Sequence, residues 1–172
     1  MSDNIDRKLW DAAWDGDEAL VSELIDQATV DWRGPDGLTA LHQVAIEGHT
    51  PVVTGLLDAG WSLEARSNDG FTPLNLAAPN GHLETVKCLL LRGADIDTED
   101  NDKDTPLHYA SIWGHTEVIK TLLHHGANQE IRNKYGDKAE DEANNHETRA
   151  VFREFNGMQS KVFCKHSCPN YY

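Results

Sequence analysis

The residues of this 172-residue chain that could do chemistry are nine histidines, three cysteines and a run of alternating acids. Cys164, His166 and Cys168 form C-K-H-S-C near the C-terminus. A zinc site would want a fourth ligand and the paired C-x-x-C spacing; neither is present, so the three are weak metal candidates. Asp100-x-Asp102-x-Asp104 imitates the first half of a calcium loop. That loop needs Gly at its sixth position and Glu at its twelfth, where Thr105 and Ser111 stand. There is no G-x-S-x-G elbow, H-E-x-x-H helix, phosphate loop or dinucleotide fingerprint. These residue types imply no catalytic site, no cofactor and no metal. What the histidines and the five tryptophans mean depends on the elements that carry them.

Those elements repeat. Three lines align without a gap: GLTALHQVAIEGHTPVVTGLLDAG from Gly37, FTPLNLAAPNGHLETVKCLLLRG from Phe71, and DTPLHYASIWGHTEVIKTLLHHG from Asp104. Leu41, Leu74 and Leu107 are 33 apart, as are Thr39, Thr72 and Thr105, and Gly48, Gly81 and Gly114. A constant period of this length marks a stacked-repeat architecture. Each unit reads as helix, turn, helix and loop. Thr72 and Thr105 stand where an N-cap hydroxyl is wanted, with Pro73 and Pro106 at the first helical position. A glycine ends the first helix. The second helix carries Val118, Ile119, Leu122 and Leu123 on one stripe and closes at Gly126. The polar run ADIDTEDNDKDTP suits a projecting hairpin. Pro79 falls inside a first helix, where it forfeits a bond to Asn75 and predicts a kink. Lys103 stands where Gly37, Gly70 and Gly136 stand, which predicts a strained or reshaped finger.

The pattern T-P-L-H-x-A…G-H…V-V…L-L-x-x-G-A-D in these lines resembles the ankyrin repeat, and the resemblance runs from Leu9 to Phe155. It implies an all-α ankyrin-repeat solenoid of helix-turn-helix pairs joined by β-hairpin loops. The implied domain covers residues 1–155, with a cap at 4–33, repeats at 34–66, 67–99 and 100–132, and a C-terminal cap at 133–155. Residues 156–172 are expected to be a flexible tail. In the last unit Lys138, Glu140 and Glu147 replace the Thr, Leu and Gly of the pattern, as suits a polar outer face. The resemblance also implies that His42, His108, His49, His82 and His115 bond backbone in and between repeats and do not bind metal. Ankyrin loops resemble targets of an asparaginyl hydroxylase; the corresponding slot holds Glu64, Asp97 and Glu130, which leaves Asp97 a weak modification candidate.

Packing fixes the framework positions, so a binding surface should use outward positions that vary between repeats. Residues before each helix-ending glycine supply Trp14 and Asp15, Ile46 and Glu47, Pro79 and Asn80, and Ile112 and Trp113, with Pro79 a candidate specificity feature near the groove centre. The finger turns supply Asp69, Phe71, Asn101, Asp102 and Tyr135, and Tyr109 joins the set. Aromatic anchors flanked by acids have the makeup of a protein-binding hot spot with a polar rim.

The balance of 29 acidic and 15 basic residues gives a net charge of −14, which argues against nucleic acid and anionic membranes. Residues 1–31 hold nine of the acids against two bases, and the fingers hold many of the rest. The expected partner is therefore a protein with a basic or amphipathic segment, bound on the concave face of a monomeric, non-catalytic interaction module. The acidic N-terminus and sparse cysteines imply an intracellular protein, cytoplasmic or nuclear. Two alternatives stand beside this reading. One is an inhibitor of a partner enzyme, in the manner of the small ankyrin-repeat inhibitors of cyclin-dependent kinases. The other is an assembly subunit acting through its C-terminal tail.

Overall fold

A computed structural model describes the backbone of residues 2–166 and the side-chain surroundings of residues 5–158. The helices pair in chain order as α1 (Ser2–Asp15) with α2 (Glu18–Leu24), and α3 (Ala40–Glu47) with α4 (Thr50–Asp58). Next come α5 (Pro73–Ala77) with α6 (Leu83–Leu91), α7 (Pro106–Trp113) with α8 (Thr116–His124), and a last helix α9 (His146–His166). The first helices α1, α3, α5 and α7 pack each on the next, and α2, α4, α6, α8 and α9 form a second layer behind them. Repeat-equivalent apolar residues meet between the layers. Leu41, Leu74 and Leu107 are buried, as are Val53, Val86 and Ile119, and Leu56, Leu89 and Leu122. Each such side chain contributes about 2 kcal/mol by leaving water.

Polar framework residues lock one unit to the next. The Thr39 and Thr72 hydroxyls accept from the backbone N–H three residues on, His42 and Asn75, and so cap α3 and α5. His49 Nε2 donates to Trp14 O at 3.1 Å, His82 to Ile46 O at 2.8 Å and His115 to Pro79 O at 2.7 Å, each reaching back to the preceding unit. His42 and His108 reach forward to Phe71 O and Asp137 O. In both, Nδ1 accepts from the threonine N–H, and at His42 this favours a neutral ring. Burial pushes the His42 imidazole below its ordinary pKa, in the same direction. At Gly81 the stitching demands glycine twice over: φ is +71°, and a Cβ would lie 2.6 Å from His115 Nδ1.

Each finger closes by two backbone bonds: Gly34 N–H to Leu38 O with Gly37 to Gly34, Ser67 to Phe71 with Gly70 to Ser67, Asp100 to Asp104 with Lys103 to Asp100, and Asn133 to Asp137 with Gly136 to Asn133. Single bonds then join neighbours, from Asn68 N to Asp36 O, Asn101 N to Asp69 O and Lys134 N to Asp102 O. Two closing bonds and one lateral backbone bond make a hairpin turn but no continuous ladder, so the described residues contain only the isolated bridge Arg132–Lys138. Lys103 keeps the third finger in the common shape at φ +63°. Asp100 Oδ1 braces it by accepting from the N–H groups of Asp102 and Asp104.

Two elements differ from the sequence reading. Pro79 does not kink its helix but ends it early: α5 has 5 residues where α3 and α7 have 8. In the last unit no first helix forms; Ala139–Glu142 make turns, and Asn144 Nδ2 donates to Ile112 O in place of a repeat histidine. Glu140 and Lys138 remove the core leucine and the threonine cap that a first helix needs there. Asn145 instead caps α9 by accepting from Thr148 N–H, and Val151 and Phe152 continue the stripe of Val118 and Ile119. The helix then runs beyond the boundary expected at residue 155, since only Gly157 weakens it and the first proline is Pro169. The side chains of Cys164 and His166, and Cys168 as a whole, lie outside the described residues.

Candidate functional site

The shortening of α5 opens a groove on the first-helix side of the molecule. It encloses about 330 Å³ and is lined by Phe71 from the second finger, Asn75, Leu76, Pro79 and Asn80 from α5 and its end, and Tyr109 and Trp113 from α7. Phe71 and Tyr109 meet edge to face with ring centroids 5.8 Å apart. The Tyr109 hydroxyl donates to Asp100 Oδ2 at 2.5 Å. Burial and the Asp100 carboxylate push that hydroxyl well above the ordinary tyrosine range, so it stays protonated and the ring is held in place. Asn80 Nδ2 donates to Leu76 O, fixing the turn that follows α5. Trp113, the last residue of α7, is 63% exposed at the rim.

Four residues expected at a binding surface thus come together here: Phe71, Asn80, Tyr109 and Trp113. The others do not line this groove. Trp14 is 49% exposed at the far end of the stack, its ring 5.6 Å from Trp10. Ile46 and Ile112 are half-buried and offer their carbonyls to His82 and Asn144, and Glu47 is half-buried at the end of α3. Asp69 and Asn101 are joined finger to finger, and Asp102 is ion-paired with Lys134, whose ammonium also lies 4.9 Å from the Tyr135 ring centre. Asp97 accepts from Asn128 N–H through Oδ1. The sequence list omitted Asn75 and Leu76, while Pro79 stood beside Asn80 among the variable positions before Gly81. Leu76 could have been found from its register, 33 residues before Tyr109.

One repeat further on, the same positions hold different chemistry. Asp104 replaces Phe71, Tyr109 replaces Leu76, Glu142 replaces Tyr109 and His146 replaces Trp113. Asn133 Nδ2 donates to Asp104 Oδ1 and to Glu142 Oε1, both at 2.9 Å. Ligand-type atoms of Asp104, His108 and Glu142 lie within 4.8 Å of one another, a juxtaposition the sequence did not reveal. His108 has no nitrogen to give a metal, because Nδ1 serves Thr105 and Nε2 serves Asp137.

Comparison with known families accounts for most of the chain. A family model for ankyrin repeats, in three copies, matches residues 9–100, and a single ankyrin-repeat model matches residues 102–134. No curated protein matches the sequence significantly. Ankyrin repeats bind other proteins in general and are typically non-catalytic.

Proposed function

Since the chain belongs to the ankyrin-repeat family, we propose that it is a non-catalytic module that holds a basic or amphipathic protein segment on its concave face, anchored in the Phe71–Trp113 groove. The observation that carries this reading is an exposed tryptophan over an apolar slot. Among the described residues Trp113 is 63% exposed, while Phe71, Leu76, Pro79 and Tyr109 form a floor on which an apolar side chain can leave water. The net charge of −14 supports a cationic partner, by steering its approach and matching its flanks. The test is affinity capture by the immobilised chain beside its Phe71→Ala/Trp113→Ala variant, with partners quantified by mass spectrometry. The reading expects a protein captured by the native chain and lost from the variant, with an unchanged unfolding temperature. Equal capture by both chains contradicts it.

A further inference from the structure

The Asp104–Asn133–Glu142 cluster joins the third repeat to the last unit, and its hydrogen bonds are one proton short. Asp104 and Asn133 are 7% and 4% exposed, and the single Asn133 Nδ2 serves one oxygen of each carboxyl group. Glu142 Oε2 is buried and has no hydrogen-bond partner. A buried carboxylate oxygen without a donor, a few ångströms from a second carboxylate, is a costly arrangement if both groups are charged.

Most of the surrounding charges add to the cost, and His108 is the one that favours a charged Asp104. Asp100 and Asp102 face the pair from the third finger, and Asp137 and Asp141 from the last unit. Of the nearby cations, Lys134 is paired with Asp102 and Lys138 with Glu130. From α7 comes His108, whose two ring nitrogens are taken by Thr105 and by Asp137 O. We propose that Asp104 and Glu142 share one proton in the folded protein, and that losing it as pH rises through neutrality weakens the attachment of the C-terminal cap to the third repeat.

The expected titration is consistent with this geometry. Burial first, and then the Asp104 charge, push the Glu142 carboxyl up to about 7, and burial raises Asp104 as well. Because the folded state holds its proton above the ordinary glutamate value of 4.5, this contribution to stability is complete below about 4.5. It declines as pH rises and is gone above about 7.

The test compares the full chain with Glu142→Gln, which keeps the Asn133 bond but cannot ionise. Unfolding temperatures are measured from pH 5 to 8. The variant should gain on the native chain with rising pH and be the more stable of the two at pH 8. A difference that does not change with pH overturns the proposal. Should the variant misfold, carboxyl carbon NMR on the native chain decides: a midpoint above 6 for Glu142 supports the shared proton, and one below 5 overturns it. Stabilisation by zinc or calcium at pH 7.5 that EDTA reverses would put a metal ion in the proton's place and also overturn it.

Discussion

Between the second and third repeats Phe71, Leu76 and Tyr109 meet as carbon surface under an exposed Trp113, whereas 33 residues on the same positions hold Asp104, Tyr109, Glu142 and His146. The leading side of both slots is built alike, with a closed finger, a threonine at the head of the first helix and a carbonyl at its end taken by the next unit, but beyond the polar slot the last unit forms turns in place of a first helix. What differs is the use of the slot. In the polar one the side chains bond to each other and fasten the last unit to the third repeat. In the apolar one, Tyr109 is tied down by Asp100, Asn75 and Asn80 bond within their own repeat or to the next loop, and Trp113 stays exposed at the rim. Stacked repeats permit this because neighbour contacts carry the stability while the variable row is free to change.

The contrast can be broken most severely in the apolar slot. Removing both anchors, in Phe71→Ala/Trp113→Ala, should weaken partner binding by ~4 kcal/mol, the sum of two hot-spot side chains, as read by calorimetric titration. Trp113→Ala alone should leave the urea midpoint nearly unchanged, because the ring is mostly in water. A shared framework residue should behave oppositely. Gly81→Ala forces a left-handed Ala against His115 and loosens its bond to Pro79 O, costing ~2–3 kcal/mol of stability in chemical denaturation.

In the polar slot, Asn133→Ala strips the one donor from both carboxyl groups. It should cost about 2 kcal/mol of stability, with partner affinity little altered. The smallest effect is a gain. Lys103→Gly relieves a left-handed lysine in the third finger and should stabilise the chain by about 1 kcal/mol, measured by the same denaturation.

How much of this was legible depended on whether a feature belongs to the repeat. The histidines could be assigned to backbone bonding because each occupies a slot shared by sister units, and the geometry of His49, His82 and His115 bears the assignment out. Pro79 signalled a disturbed first helix because proline acts locally. The sequence could not say whether the helix would bend or stop, which is decided by the turn that Asn80 braces. The Asp104–Asn133–Glu142 cluster was hidden because its members sit 29 and 9 residues apart along the chain, and Asn133 and Glu142 stand where the preceding unit has Asp100 and Tyr109. Half of the groove was legible from aromatic residues at variable positions. Leu76 escaped because an apolar residue in a short helix looks like core until its outward direction is known.

The account rests on the claim that a partner segment seats between α5 and α7. Selecting a basic, amphipathic peptide from a displayed library against the chain, and titrating it into isotope-labelled protein, tests this most directly. Shifts should concentrate on the Trp113 indole N–H and on Phe71, Leu76 and Tyr109, with α4, α8 and α9 silent. Shifts centred on α9 or on the second-helix layer would contradict the assignment of the concave groove.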